Sequence, residues 1–144
     1  MVDPTDPAAA MEMLKAVPLF SSLNNKQLKA LAKTATDQTY KPGDVLVAEG
    51  KQGVGFYLVA QGQVAVEKGG KTVASLGPGQ FFGEMALIDE QPRSATVKAV
   101  GPTRCLVVTR WDFWGTVAKD PEVLRVLLRE TVRRLREAKP GPED

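Results

Sequence analysis

The sequence predicts a mostly β protein with helices at both ends. From Gln38 onward, short apolar or alternating runs rich in valine and aromatic residues are separated by closely spaced glycines. Such runs are too short for ordinary helices and are typical of strands. The pair Gly69-Gly70 is typical of a hairpin turn, and Gly62 marks another tight reversal. Many short strands at regular spacing predict a closed or rolled-up antiparallel structure.

The bulk composition describes an ordinary globular domain. A chain of 144 residues fits one domain that can bury a real core without disulfides or metals. Its hydrophobic fraction is 43% and its charged fraction 25%. The net charge of +2 gives no strong field that would favour a nucleic acid or an acidic partner.

Several residue types are missing or rare, and this excludes common active sites. Histidine is absent, which excludes Ser-His-Asp and Cys-His arrangements and the usual zinc sites. The single cysteine, Cys105, lies in an apolar run and is predicted to be inert core in a reducing compartment. The N-terminus lacks the apolar core of a signal peptide, and no apolar run could span a bilayer. We therefore expect a soluble cytoplasmic protein with no membrane span and no metal or other cofactor.

The N-terminal segment is predicted to be helical. Residues 1–7 contain prolines and acids and are predicted to form a flexible N-terminus. The N-terminal helices occupy 8–37: the first ends near Val17, because a proline follows, and Asn24 or Asn25 caps the second.

The β region is predicted to cover residues 38–109. A break within it, at 84–88, has good helix formers but too few residues for more than a turn or two. The predicted strands are 44–48, 56–60, 63–67, 71–76, 94–100 and 103–109.

The C-terminal helices are predicted over 110–138, followed by a tail at 139–144. The first piece covers 112–118, and Asp120-Pro121 begins the last helix. One stripe of that helix either packs on the β structure or forms a seam with a second chain. Its members are Leu124, Leu128, Thr131, Leu135 and Ala138, widened by Val123 and Leu127.

The stretch from Gly83 to Ser94 combines polar chemistry with apolar surroundings. Glycine, a carboxylate (Glu84), an arginine (Arg93) and a hydroxyl fall within twelve positions. A guanidinium suits anions because it stays charged and offers a planar fork of donors. We interpret the stretch as a small-anion pocket, the alternative being a structural Glu84–Arg93 salt bridge with Gly83 as a turn.

The motifs around this stretch resemble the phosphate-binding cassette of cyclic nucleotide-binding domains. The cassette likeness lies in Phe82-Gly83-Glu84-Met85-Ala86-Leu87 and Pro92-Arg93-Ser94-Ala95-Thr96-Val97. Upstream motifs in the family's order are Val17-Pro18-Leu19-Phe20, Pro42-Gly43-Asp44, Glu49-Gly50, Phe56-Tyr57-Leu58-Val59 and Leu76-Gly77-Pro78-Gly79. The chain is thus similar to the sensor domain of the bacterial catabolite activator and to the binding domains of cyclic-nucleotide-regulated channels and kinases.

This resemblance implies a fold. It is a jelly-roll-like antiparallel β-roll of about eight strands, with N-terminal helices, a short phosphate-cassette helix and two C-terminal helices. The domain would cover 8–138. One departure is Val54, where the family often carries an acidic residue.

The resemblance also implies roles for five residues. Arg93 and Ser94 would bind the cyclic phosphate, and the small Ala86 would allow its close approach. Gly83 and Glu84 would bind the ribose, with the carboxylate accepting from the 2′-hydroxyl. Serine at position 94 resembles the bacterial cAMP-binding pattern, whereas members that favour cGMP often carry threonine. The expected ligand is therefore cAMP rather than cGMP. We expect Phe81 and Phe82 to be core rather than base-stacking groups.

Three arginines of the last helix, Arg125, Arg129 and Arg133, share one face at four-residue spacing. They are predicted to be solvated, with supporting Glu130–Arg134 and Arg133–Glu137 pairs. Alternatively, one of them closes over the base as a cation–π lid, or the face meets anionic lipid or a partner.

The predicted function is a non-enzymatic cAMP receptor domain that signals through movement of its C-terminal helix. Too few residues follow Ala138 for a winged helix-turn-helix, so no DNA binding is expected. A homodimer through the last helix and an unidentified protein partner are the expected partners. The alternative is a ligand-free interaction or dimerisation module on the same fold. A hydrolase is disfavoured because Asp89 and Glu90 lack a metal ligand set and a histidine.

Overall fold

The computed structural model describes residues 3–89 and 91–138, and it confirms the predicted β-roll with flanking helices. Every strand pair is antiparallel, in two four-stranded sheets of order β1-β8-β3-β6 and β2-β7-β4-β5. The strands are β1 (Thr36–Tyr40), β2 (Val45–Val47), β3 (Gly55–Gln61), β4 (Val64–Lys68), β5 (Lys71–Leu76), β6 (Phe81–Phe82), β7 (Thr96–Ala99) and β8 (Thr103–Thr109).

Helices lie at both ends of the described chain. The α-helices are α1 (Pro7–Lys15), α2 (Asn25–Thr34), α3 (Arg110–Gly115) and α4 (Pro121–Glu137). Short 3₁₀ turns occur at Pro18–Phe20, at Glu84–Leu87 (the cassette helix below) and at Val117–Lys119.

The central strand β3 divides the core into two clusters. Its residues Phe56 and Leu58 pack with the helices, whereas Tyr57 and Val59 point into the roll. All four side chains are buried, because successive side chains of a strand face opposite sides and both sides of β3 are covered. The strand therefore couples helix packing on one side to the interior of the roll on the other.

The second N-terminal helix begins at a side-chain cap, as the sequence predicts. Asn24 and Gln27 form a reciprocal capping box at the start of α2, with Asn24 Oδ1 accepting from Gln27 N at 2.9 Å. In the segment predicted to be flexible, Pro4 is buried and the Asp3 carboxylate lies 3.7 Å from Arg104. Flexibility there stays a prediction, and residues 1–2 and the predicted tail at 139–144 lie outside the described residues.

Two strands were not predicted. β1 begins at Thr36, before the predicted boundary at residue 38, and its sequence TDQTY is almost wholly polar and exposed. It is an edge strand paired only with β8, so it carries no apolar alternation. β6 is only two residues long, too short for any pattern.

The C-terminal segment corrects one boundary. The piece predicted over 112–118 is instead α3 followed by a separate 3₁₀ turn, with a break at Thr116, whose φ and ψ are −128° and −68°. Gly115 precedes the break and favours it, because glycine is a poor helix former.

The last helix packs through the two residues that widen the predicted stripe rather than through the centre of that stripe. Val123 and Leu127 are buried, whereas Leu128 is 66% and Leu135 70% exposed. Part of the predicted stripe therefore remains available for another surface. None of the helices in the described ranges is long and apolar enough to cross a membrane.

Cys105 is core, as predicted. It is fully buried inside the roll, and this burial raises the pKa of its thiol to about 12. The thiol therefore stays neutral and unreactive in the folded protein.

We predict that Gly62→Ala destabilises the domain more than Gly43→Ala. Both glycines have positive φ, +90° and +87°, so alanine costs about 1–2 kcal/mol of strain at either site. At Gly62 the added Cβ would also collide with the Pro102 carbonyl and lie 2.8 Å from Thr103 Cα, whereas Gly43 has open space. Overpacking should add about 1–3 kcal/mol, measurable by urea unfolding. Equal losses in the two variants would contradict this packing.

Candidate functional site

The predicted cassette residues surround one cavity of about 380 Å³. Its floor is apolar and comes from three adjacent strands, because Val97 on β7 pairs with Val47 on β2 and with Val66 on β4. Its polar rim contains all five residues predicted for the site. These are Gly83, Glu84, Ala86, Arg93 and Ser94.

One wall is the cassette helix, Glu84–Leu87. Gly83 precedes it in the left-handed region at φ +83°, a conformation that glycine adopts without strain. Leu87 is fully buried and fixes the turn to the helix-side core, while Ala86 is nearly buried and borders the cavity. The first N–H groups of a helix lack intrahelical acceptors, and the small Gly83 and Ala86 leave room beside them, while the Met85 side chain also lines the cavity.

Arg93 is held by backbone and side chain alike. Its N–H donates to the Lys51 carbonyl at 2.8 Å, and its carbonyl accepts from Gly50 N at 2.8 Å. Its Nη2 donates to the Gly55 carbonyl. The loop before β3 thus fixes both ends of the residue.

The Arg93 guanidinium lies against two glycines, one on each side. A Cβ added at Gly53 would lie 2.8 Å from Arg93 Cζ. One added at Gly83 would lie 2.7 Å from the Gly55 carbonyl oxygen and 3.2 Å from Arg93 Cζ. A Cβ at Gly53 would displace the Arg93 side chain, and one at Gly83 would clash with backbone at a positive φ, so glycine at these positions lets the guanidinium lie where it does.

The electrostatics of Arg93 favour an anion. Burial lowers its pKa, while Tyr57 and then Glu84 act in the opposite direction. Arginine nevertheless stays protonated in proteins. Its Cζ lies 5.9 Å from the centroid of the Tyr57 ring, and its buried Nε–H finds no acceptor within the described residues. A buried donor without an acceptor costs about 1–3 kcal/mol, and a charged guanidinium that borders a cavity suits an anion there.

The two phenylalanines beside the cassette differ. Phe81 packs against the helix-side core, as expected. Phe82 packs against the interior core, stacks on Tyr57 with centroids 4.8 Å apart and planes at 4°, and also borders the cavity. Phe82 therefore belongs both to the core and to the cavity wall.

None of the three candidate lid arginines lines the cavity. Arg125 lies 3.3 Å from Glu122, Arg129 is exposed, and Arg133 pairs with Glu130 and with Glu137, the latter at 2.6 Å. The predicted Arg133–Glu137 pair is present, but Glu130 pairs with Arg133 rather than with Arg134 as predicted. The lid itself stays a prediction.

The sequence reasoning missed Arg134, which lies 3.9 Å from Glu84. Its place follows from the packing of α4, which the sequence alone does not decide. Val123, Leu127 and Glu130 are the buried residues of α4, and Arg134 continues their alternating spacing of four and three. It also missed the contacts of Gly53 and Gly55 with Arg93, which join residues far apart in the sequence and carry no local signal.

The fold and the site define the class: a β-roll domain whose pocket has an apolar floor and a partly buried arginine at its rim. No group of three or more His, Cys, Asp or Glu that could hold a metal occurs in the part of the chain described. Residues 37–120 match the family model described as cyclic nucleotide-binding domain. The chain belongs to this family of regulatory ligand-binding domains.

Similar proteins agree with this membership. The chain is 37% identical over 130 residues to the cyclic AMP receptor protein of Thermus thermophilus, covering 87% of this chain and 60% of that protein. It is 43% identical over 88 residues to a cAMP-dependent protein kinase regulatory subunit of Yarrowia lipolytica, covering 60% of this chain and 24% of that protein. It thus spans less than two thirds of either relative.

A solved structure shares the whole fold. The N-terminal domain of a transcriptional regulator from Streptomyces coelicolor superposes with a TM-score of 0.79 at 33% sequence identity. The match covers 87% of this chain and 91% of that one.

We predict a measurable coupling between Glu84 and Arg134 in the ligand-free protein. A double-mutant cycle with Glu84→Gln and Arg134→Gln should give about 0.2–1 kcal/mol in urea unfolding, because both side chains are partly exposed, 18% and 37%. High salt should reduce it. The matched cycle at Glu122 and Arg125, a pair within α4, reports the local helix effect. Zero coupling at Glu84 would contradict the contact.

Proposed function

We propose that this domain is a receptor for a 3′,5′-cyclic nucleotide, cAMP in preference to cGMP, and that it signals through α4. The observation that carries the proposal is the charged, partly buried Arg93 whose Nε–H has no acceptor among the described residues, at the edge of an apolar cavity. A cyclic phosphate carries one negative charge and two free oxygens, which suit the planar guanidinium fork.

The remaining cassette residues suit the rest of the phosphate. Ser94 is exposed at the cavity rim and can donate its hydroxyl. Ala86 and Gly83 keep the cassette wall free of bulk, so backbone N–H groups can approach the phosphate oxygens.

Glu84 is the proposed ribose ligand. Its carboxylate borders the same cavity as Arg93 and can accept a hydrogen bond from the 2′-hydroxyl. A buried or half-buried acceptor left without its hydroxyl is costly, so deoxy analogues should bind less well.

The contact between Glu84 and Arg134 supports a route from the pocket to α4. A ligand that engages the Glu84 carboxylate changes the electrostatic partner of Arg134, 3.9 Å away. If the domain binds nucleotide more tightly with α4 closed over the pocket than with α4 open, the ligand favours closure by that difference in binding free energy. A coupling of about 1–3 kcal/mol is typical of such systems.

Further observations bear on the identity of the nucleotide and on a second copy of the chain. Serine at position 94 and the names of the Thermus and Yarrowia relatives favour cAMP. The exposed Leu128, Val132 and Leu135 give α4 an apolar surface that suits a second copy of the chain. A cationic lid over the base, the homodimer and a cytoplasmic location remain predictions. We also propose that the domain is not an enzyme.

Calorimetric titration with cAMP and cGMP tests the ligand. We expect saturable binding of both, tighter for cAMP, with Tm rising as ligand concentration exceeds Kd. The nucleotide should be recovered unchanged after incubation. No heat and no shift in Tm at millimolar nucleotide would instead favour the ligand-free interaction module.

In the same titration Arg93→Ala should weaken binding by about 1.5–3 kcal/mol, the value of a charge-assisted hydrogen bond.

Two variants control for the loss of Arg93. Arg93→Lys keeps the positive charge but loses the planar fork of donors, so its affinity for nucleotide should fall between those of Arg93→Ala and wild type. Arg104→Ala also removes a partly buried arginine, but Arg104 pairs with Asp37 at 2.5 Å, away from the cavity. Its affinity for nucleotide should be unchanged. If Arg93→Ala binds nucleotide as tightly as wild type, Arg93 is not the residue that binds the phosphate.

A comparison of cAMP with 2′-deoxy-cAMP tests the ribose contact. Wild-type protein should prefer cAMP by about tenfold or more, because the deoxy analogue leaves Glu84 without a donor. Glu84→Gln, which keeps the size and removes the charge, should reduce this preference. A preference that survives the substitution would assign the 2′-hydroxyl to another residue.

A further inference from the structure

The cassette helix is too short to hold its own position. It has four residues, and its own backbone bonds include Ala86 N to the Gly83 carbonyl and Ile88 N to the Met85 carbonyl, both at 3.0 Å. Isolated turns of this length gain few hydrogen bonds for the residues they order. Met85 is 72% exposed, so only part of the turn is fixed by burial. The position of this wall therefore depends on contacts from outside the turn.

Trp114 on α3 makes one such contact. Its indole Nε1–H donates to the Leu87 carbonyl at 2.6 Å. A carbonyl in the last turn of a helix has no intrahelical partner, so this bond uses the single donor of the indole on an acceptor that needs one. The indole also meets the buried Phe113 ring edge-on, with centroids 5.7 Å apart, which holds it in place.

The helix that carries Trp114 is itself tied to the loop that packs against Arg93. Arg110, the first residue of α3, donates its N–H to the Val54 carbonyl at 2.7 Å and its Nη1 to the Gly53 carbonyl at 3.3 Å. Gly53 is one of the two glycines against which the Arg93 guanidinium packs. One short helix thus contacts the Gly53 loop at its start and the cassette at Trp114.

We propose that Trp114 is a positioning residue of the nucleotide site, which through the Leu87 carbonyl sets the spacing between the cassette and the Gly53 loop around Arg93. The proposal rests on the proposed function. In a 3₁₀ turn with a rise of about 2 Å per residue, Leu87 lies only about 6 Å along the axis from Glu84. A shift at the Leu87 end therefore reaches the ribose and phosphate contacts directly.

The first experiment measures affinity of the full chain for cAMP. Trp114→Phe keeps an aromatic ring but removes the N–H, and its Kd should rise about three- to tenfold, as expected for one lost hydrogen bond. The matched control is Trp111→Phe. Trp111 lies on the same helix, is 59% exposed and donates no hydrogen bond to a described residue. Its substitution should leave Kd unchanged.

A sharper variant removes only the N–H. The chain has two tryptophans, so in the Trp111→Phe protein Trp114 is the single tryptophan and can be replaced by β-(3-benzothienyl)alanine, which has the same bicyclic shape with sulfur in place of N–H. This protein keeps the packing of the ring, so it should fold even if Trp114→Phe does not. It should show the same rise in Kd.

The second experiment needs no ligand. Amide hydrogen exchange at Ala86, Ile88 and Asp89, whose N–H groups close the turn, should become faster when the Trp114 N–H is removed. The rates should stay as in wild type for the Trp111→Phe control, and the amides of β3 should be unaffected in every variant.

The outcomes separate this inference from the proposed function. If wild-type protein binds no cyclic nucleotide, the proposed function fails, while faster exchange confined to the cassette would still support the positioning role. Unchanged cassette exchange, or faster exchange throughout the chain, would overturn that role and leave Trp114 as general packing. If wild-type protein binds the nucleotide but removal of the Trp114 N–H leaves Kd unchanged, the positioning role is overturned as well.

Discussion

The site depends on one partly buried guanidinium that lies against bare glycine backbone. Arg93 lies against Gly53 and Gly83 and donates to the Gly55 carbonyl. Burying a charge is expensive unless it is paired and hydrogen-bonded, yet one of its N–H groups has no acceptor among the described residues. The surrounding roll must therefore be rigid enough to keep the charge in place, and the cavity beside it is suited to an anion that completes its coordination.

That rigidity comes from β3, which continues directly from the loop that holds Arg93. Gly55 is the first residue of the strand, and the residues after it alternate between the two core clusters. Displacing the guanidinium would disturb a strand buried on both faces. The cassette wall lacks this support, since it is a single turn tied to the fold by Leu87 and by the indole of Trp114. The pocket thus has one firm wall and one that can adjust.

Features that lie in one short stretch or follow a regular pattern could be predicted from the sequence, whereas those that depend on packing could not. The cassette residues Gly83 to Ser94 were identifiable because their chemistry lies in one short stretch, and most strands follow from alternation between glycines. β1 could not be found from alternation, because an edge strand exposed on most of its surface needs no apolar pattern. The inward arginine of α4 was missed for a different reason: two apolar stripes run along that helix, and packing alone decides which one faces the helix-side core.

The rotation of α4 about its own axis decides which of its residues lies beside the pocket and contacts Glu84. With Val123, Leu127 and Glu130 buried, the next inward position is Arg134, and Glu84 is its partner. Arg133 meanwhile pairs with Glu130 and Glu137 within the helix, so it would have to give up two ion pairs to reach the pocket. Among the described residues, the ion pair of Arg134 is the long one to Glu84. A partly exposed pair contributes little to stability, and for that reason a ligand that competes for Glu84 could release or recruit the end of α4 without unfolding the domain.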